Sequence, residues 1–214
     1  MILTHIKGIH HVTAIAGKAQ RNLEFYRDIL GLRLVKKTVN FDDPGTYHLY
    51  FGNEEGSPGT IMTFFPWEHI TRGSRGSSQA TETAFNVPVG ALDFWVNRFE
   101  EHHVIHNKPG TRFDEQYLVF LDPDGLKLEL VETDQSAVPP YLHPGIPAEK
   151  AIAGFYNTTL TVNDYKSTEA LLRDVFGYEL IGHEVNRYRY ASGAEVAGRL
   201  LDLVHLPNEP GGTI

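Results

Sequence analysis

The chain repeats part of its own sequence, and this internal repeat is the strongest constraint on its fold. Residues 27–34 (RDILGLRL) are echoed by residues 173–180 (RDVFGYEL), with Asp28 and Asp174 separated by 146 residues. The same separation aligns residues 8–13 with 154–159 without a gap. Two segments that share one register indicate structurally equivalent units along the chain.

Each unit has the pattern of one strand, one amphipathic helix and three further strands. In the first unit, Leu23, Tyr26 and Leu30 form an apolar helical stripe, and Gly31 is placed to end that helix in the left-handed backbone conformation. A more diverged copy occupies residues 83–131 between the two clear repeats. We therefore predict an α+β fold of tandem βαβββ modules that curl into half-barrels.

Two linkers divide the chain. The first is polar and rich in Gly and Ser, and the second contains four Pro within residues 137–147. The predicted domains are module 1 at residues 1–70, module 2 at 71–136, a Pro-rich linker at 137–150 and module 3 at 151–214. Because half-barrels close in pairs, we expect an even number of modules and interpret the chain as lacking a fourth.

Charge and cysteine content exclude several functions. The chain carries 19 Lys and Arg against 27 Asp and Glu, and it has no Cys. An acidic chain has no general attraction for nucleic acid or an acidic membrane, so neither is an expected partner. Without thiolates, a transition-metal site must use imidazole and carboxylate, and 11 His are available. The absence of Cys and of an apolar leader predicts a cytoplasmic protein.

Functional residues of paired half-barrels should lie at equivalent strand positions that face a shared cavity. A glycine four residues upstream sets the register of the last strand in each module. The aligned positions are His11, Thr81 and Asn157 on the first strands, and Thr63, Glu129 and Asp202 on the last strands. A mononuclear iron(II) oxygenase needs two His and one carboxylate on one face. No pair of modules supplies that set, although Glu129 and Asp202 are both candidate carboxylate ligands.

Three segments of the chain resemble the glyoxalase/vicinal-oxygen-chelate superfamily: residues 8–15, 25–50 and 58–67. Within that superfamily, essentially the whole chain is similar to ring-cleaving, extradiol-type dioxygenases of the hydroquinone 1,2-dioxygenase kind, which normally contain four βαβββ modules. The resemblance implies that His11 binds iron(II) and that His10 and Thr13 act beside the metal. It also implies that the remaining His and Glu ligands belong to module four.

The resemblance predicts an iron(II)-dependent dioxygenase that cleaves a hydroquinone-like or catechol-like ring with O2, with Mn(II) as an alternative metal. The expected partners are a small aromatic substrate and O2. A homo-oligomer is also expected, because unpaired half-barrels would expose apolar faces. Neighbouring residues of a strand face opposite sides, so His10 and His11 can serve one site only if the strand bulges or His10 lies at its flank.

Two other functions fit the same fold. A metal isomerase of the glyoxalase I type would need carboxylates in its cavity, at a position where this chain has Thr63. A non-catalytic module of the bleomycin-resistance type would enclose an aromatic ligand without metal.

The other histidines are weaker candidates for a functional role. His48 could line the cavity, or it could be an ordinary hydrogen-bonded strand residue. His102, His103 and His106 follow an amphipathic helix and are interpreted as solvated residues.

Overall fold

The structure is a computed structural model that describes residues 6–134 and 138–213. Module 1 contains β1 (His11–Ala16), α1 (Ala19–Glu24), β2 (Arg33–Val39), β3 (Tyr47–Gly52) and β4 (Ile61–Pro66). Module 2 contains β5 (Gln79–Val87), α2 (Leu92–Glu101), β6 (Gly110–Arg112), β7 (Glu115–Leu121) and β8 (Lys127–Glu132). Module 3 contains β9 (Phe155–Val162), α3 (Tyr165–Ala170), β10 (Glu179–Glu184), β11 (Arg187–Ala191) and β12 (Leu200–His205). The predicted βαβββ architecture is confirmed.

The repeat extends to the way the first and third helices end. Helices α1 and α3 each continue into one π-helical turn, at Phe25–Ile29 and Leu171–Val175. Gly31 and Gly177 follow with φ of 69° and 73°, the left-handed conformation expected where a helix stops. No helix within the described ranges is long and apolar enough to cross a membrane.

The three modules form two sheets. Module 1 has its own four-stranded sheet, in the order β1-β4-β3-β2. Modules 2 and 3 share an eight-stranded sheet that is joined at its centre by antiparallel pairing of β5 with β9. In module 1, the equivalent strand β1 pairs in parallel with β4 and has no other strand partner among the described residues.

The main core lies between the first sheet, its helix and module 2. Tyr26 on the π-turn after α1 is fully buried between Phe51 and Phe64 of the first sheet, with ring centroids 5.3 and 4.4 Å away. Its hydroxyl donates to Asp122 of module 2 at 3.0 Å. Trp95 on the second helix belongs to the same core. One face of the first sheet therefore packs against the core, and the opposite, concave face is not part of that core.

Modules 1 and 3 are joined by an exchange of backbone hydrogen bonds. The N–H of Ile9 donates to the carbonyl of Gly198 at 2.9 Å, and the N–H of Phe155 donates to the carbonyl of Gly59 at 2.7 Å. Gly59 also donates its N–H to the carbonyl of His10 at 2.9 Å. Both glycines have positive φ, 84° and 73°, and a Cβ on either would collide with a backbone carbonyl of the opposite module. The start of β1 is therefore fixed by module 3.

Replacing Gly59 with Ala should destabilise the protein by more than the cost of a left-handed alanine. That conformational cost is about 1–2 kcal/mol, and the collision with the Ala197 carbonyl should add roughly 1–3 kcal/mol. Gly90→Ala is the matched control, since Gly90 has φ of 80° and open space around it. Urea unfolding of both variants separates the two terms, and equal losses would refute a tight junction.

Candidate active site

The concave face of the first sheet carries the polar residues of module 1. Thr13 on β1 lies opposite Thr63 on β4, which in turn lies opposite Tyr50 on β3. His11 shares this face because it is two residues from Thr13. The intervening residues of β1, Val12 among them, pack against the core. Strand alternation thus separates an apolar convex side from a polar concave side.

His10 and His11 meet at the start of β1. Their Nδ1 atoms are 3.2 Å apart, and their rings are edge to face with centroids 5.3 Å apart. Both side chains are exposed. His10 precedes the first residue of the strand, so strand alternation does not force the two rings apart. His10 lies just before the strand, where its carbonyl accepts a hydrogen bond from the Gly59 N–H, and this position lets both imidazoles face the same site.

Four side chains on the concave face form a continuous hydrogen-bonded row. The Tyr50 hydroxyl is 2.9 Å from His48 Nδ1, and His48 Nε2 is 3.2 Å from Thr63 Oγ1. The Thr63 hydroxyl donates to Thr13 Oγ1 at 2.9 Å. The row therefore runs across three strands and ends two residues from His11.

Aromatic rings line the same face. The His48 ring lies between Tyr50 and Phe65, with centroids 4.1 and 4.0 Å away, and Phe65 stacks on Trp67 at 5.8 Å. A cleft of about 640 Å³ adjoins Trp67 at the end of the sheet, with Tyr47 in its wall. The concave face therefore offers flat, apolar surfaces beside the imidazole and hydroxyl groups, as a planar ligand would require.

Burial, followed by the nearby charges of Lys36 and His11, lowers the pKa of His48 below its ordinary value. The histidine in the row is therefore neutral near pH 7. A neutral imidazole can donate from one ring nitrogen and accept at the other.

The concave face fits one edge of a metal site. The His11 imidazole is exposed there, and its one hydrogen-bond contact in the described structure is with His10. Within residues 6–134 and 138–213, no three His, Asp or Glu side chains are grouped to hold a metal ion. A facial triad of two His and one carboxylate would therefore need ligands from outside the described residues.

The interior of the eight-stranded sheet has a different character. Glu129 accepts two hydrogen bonds from Arg112, at 3.2 and 2.5 Å. Asp202 is fully buried and accepts two from Arg189, at 2.9 and 3.1 Å, and one from Arg187 at 3.1 Å. Both candidate carboxylate ligands are thus engaged by arginines, which fill the position where a cation would have to bind.

The predicted alignment of module 2 is wrong by one residue. In the parallel β5–β8 pairing, Thr83 lies opposite Leu128. His11 lies opposite the residue two places after Gly59, and in this register the residue opposite the one two places after Gly125 is Glu82. Glu82, not Thr81, is therefore equivalent to His11. The pairing of β5 with β9 shifts at Thr81, and this irregularity breaks the simple count along the strand.

Asn157 occupies the equivalent position in module 3. It is fully buried, and neither atom of its amide has a hydrogen-bond partner among the described residues. The three equivalent positions therefore carry an exposed imidazole in module 1, a paired carboxylate in module 2 and a buried amide in module 3.

Several arginines inside the eight-stranded sheet were not predicted from the sequence. The arginines on β11 alternate with tyrosines in the run Arg187-Tyr188-Arg189-Tyr190, which places both guanidinium groups on the face of Asp202. That alternation was a usable signal. The short strand that carries Arg112 gave no such signal, since it has only three residues. Of the histidines that follow the second helix, His102 and His103 are exposed, as expected. His106 is half-buried instead, with its ring centroid 6.0 Å from that of Phe99.

A family model described as the Glyoxalase/Bleomycin resistance protein/Dioxygenase superfamily matches residues 8–130. MhqO of Bacillus subtilis (strain 168), provisionally named a ring-cleaving dioxygenase, is 47% identical over 200 residues, which cover 94% of this chain and 64% of MhqO. The chlorohydroquinone/hydroquinone 1,2-dioxygenase of Sphingobium indicum is 36% identical, over 97% of this chain and 66% of that protein. The chain therefore spans about two thirds of the length of these relatives.

Solved structures give the same result for the fold. A crystal structure of a protein from B. subtilis (strain 168), provisionally named a dioxygenase, superposes with a TM-score of 0.91 at 45% identity, covering 96% of this chain and 66% of that one. Glyoxalase I from Zea mays superposes with a TM-score of 0.72 at 14% identity, over 97% of this chain and 71% of that one. The second likeness concerns the fold alone.

The ion pairs inside the eight-stranded sheet predict a specific pH dependence of stability. Burial by itself raises the pKa of Glu82, but Arg187 and Lys127 outweigh burial and lower the pKa to about 2. Because the pKa of Glu82 is lower in the folded than in the unfolded state, its ionised carboxylate stabilises the fold at any pH above the unfolded-state pKa. This stabilisation is lost as pH falls from about 4.5 towards 2. The full effect is about 3 kcal/mol.

Glu82→Gln should therefore lower the free energy of unfolding at neutral pH by up to about 3 kcal/mol and flatten its dependence on pH between about 4.5 and 2. Glu54→Gln is the control, because Glu54 forms a solvent-exposed ion pair with Arg33 and should change stability by less than about 1 kcal/mol. Denaturant unfolding at a series of pH values measures both. If the stability of Glu82→Gln fell between about pH 4.5 and 2 as steeply as that of the wild type, the low pKa of Glu82 would be contradicted.

Proposed function

Because the chain belongs to the Glyoxalase/Bleomycin resistance protein/Dioxygenase superfamily, we propose that it forms three of the four modules of an iron(II)-dependent ring-cleaving dioxygenase. The proposed substrate is a hydroquinone-like or catechol-like aromatic, which is cleaved with O2. The names of the relatives in B. subtilis and S. indicum support this reaction class. We also propose that the protein is cytoplasmic.

One observation carries the proposal. An exposed imidazole, His11, and an exposed hydroxyl, Thr13, lie on an open concave face whose other side chains include a row of stacked rings. A hydroxylated aromatic presents the same combination of a flat apolar ring and polar edge atoms. The face therefore matches this substrate class better than it matches an aliphatic or strongly charged compound.

In this proposal His11 contributes one ligand to iron(II), with Mn(II) as the alternative. A metal held by a facial triad leaves open positions where a substrate and O2 can be held together. His10, whose Nδ1 is 3.2 Å from that of His11, is placed to accept a proton from a substrate hydroxyl. Phe65 and the His48 ring provide surfaces that orient the aromatic ring and exclude water from one side.

The missing ligands are proposed to come from a fourth βαβββ module. The first strands of modules 2 and 3 pair with each other, whereas β1 has one edge without a strand partner among the described residues. A fourth module that pairs with β1 would close the concave face into a cavity and bring in a His and a carboxylate. A second copy of the chain could use the same edge, which is how we interpret the expected homo-oligomer.

The rival functions receive less support. An isomerase of the glyoxalase I type would need a carboxylate where this face has Thr63, and Thr63 is buried and hydrogen-bonded on both sides. A non-catalytic binding module would make no use of a paired His10 and His11. Iron-dependent oxygen uptake with a hydroquinone would distinguish the proposed dioxygenase from both.

In the full-length protein, His11→Ala should weaken iron binding by at least about 100-fold, because it removes a metal ligand. Substrate-dependent oxygen uptake should fall with it. Metal analysis after gel filtration measures the loss directly, and His102→Ala, at an exposed histidine after the second helix, is the matched control. Full iron occupancy in His11→Ala would show that this histidine is not a ligand.

A further inference from the structure

The hydrogen-bonded row on the concave face has a defined direction. The Thr63 hydroxyl has one proton, and it donates that proton to Thr13 Oγ1 at 2.9 Å. Thr63 can therefore only accept from His48, whose Nε2 lies 3.2 Å away. His48 must then carry its proton on Nε2. This fixes the tautomer of the imidazole from the geometry of its neighbours.

The other end of the row agrees with this direction. A neutral imidazole protonated on Nε2 has an acceptor lone pair on Nδ1. The Tyr50 hydroxyl lies 2.9 Å from that atom and has a proton to give. Every donor in the row thus points the same way, from Tyr50 through His48 and Thr63 to Thr13.

The direction determines what Thr13 can do. Its oxygen already accepts from Thr63, so the proton of Thr13 is the one that remains available for another acceptor. Thr13 is exposed on the face of His11, and among the described residues no acceptor for that proton is recorded. Its hydroxyl can therefore donate into the site.

We propose that Tyr50, His48 and Thr63 are positioning residues that hold Thr13 as a hydrogen-bond donor to an oxygen atom of the bound substrate. This inference rests on the proposed function. An oriented donor stabilises negative charge that develops on a substrate oxygen during the reaction. Without Thr63, the Thr13 hydroxyl could rotate, and part of that stabilisation would be lost.

The row is built to keep its geometry. Thr63 is 1% exposed, and the His48 ring is held between Tyr50 and Phe65. Hydrogen bonds in series polarise one another, which strengthens the donor at the end of the row. The rings that would contact an aromatic substrate are thus the same rings that fix the donor.

The first test needs neither metal nor substrate. Long-range ¹H–¹⁵N NMR on the uniformly labelled protein, at mildly alkaline pH, reports which nitrogen of His48 carries the proton. We expect Nε2–H in the wild type. A proton on Nδ1 would reverse the row and overturn the inference, whatever reaction the protein catalyses.

The second test uses kinetics of the full-length, iron-loaded protein. Thr63→Val removes the hydroxyl and keeps the shape, and kcat should fall by about tenfold, the value of one hydrogen bond, with little change in KM. Thr63→Ser should restore kcat. Thr161→Val is the matched control, since it removes a similar partly buried hydrogen bond, 2.8 Å to Thr81, in the other sheet.

Coupling to Thr13 distinguishes positioning from general support of the fold. In a Thr13→Val background, the further change Thr63→Val should leave kcat within about twofold, because the residue it positions is already gone. Additive losses, or an unchanged kcat in Thr13→Val alone, would overturn the inference. If the wild type takes up no oxygen with any hydroquinone, the proposed function fails, and the His48 tautomer alone then decides the direction of the row.

Discussion

The exchange of backbone hydrogen bonds between modules 1 and 3 is the constraint on which the candidate site depends. The carbonyls of Gly59 and Gly198 accept hydrogen bonds from Phe155 and Ile9, at or just before the start of the first strand of the opposite module. Neither glycine has room for a side chain. Because Gly59 also binds the carbonyl of His10, the contact between modules fixes where β1 begins. The two adjacent histidines can then face one place although strand alternation would separate them.

The βαβββ architecture forms two chemically different interiors in this protein. In module 1 the concave face is open and carries neutral hydroxyls, imidazoles and stacked rings. In modules 2 and 3 the interior is crossed by ion pairs, with Asp202 fully buried beneath Arg187 and Arg189. A buried carboxylate needs a compensating cation. Here arginines provide that charge, so the second interior needs no metal ion to balance it.

The repeat pattern predicted the modules because helix periodicity, strand alternation and helix-ending glycines are local properties. The position of Glu82 could not be predicted in this way. A register shift at Thr81 moves Glu82, Thr83 and Ala84 by one place relative to β9, and such a shift arises from pairing with a distant strand. The three-residue strand that carries Arg112 is also stabilised mainly by its partner strand, so its own sequence contained too little pattern to find it.

The sequence by itself determined the three βαβββ modules, the left-handed glycines that end two helices, and His11 as the histidine of the repeat position. Only the tertiary structure decided which carboxylates are occupied by arginines, and that His10 stands beside His11. It also decided that Tyr50, His48, Thr63 and Thr13 form one hydrogen-bonded row. The reason is physical: backbone preferences are set by neighbours in the chain, whereas hydrogen-bond direction and charge compensation depend on groups brought together from strands far apart in sequence.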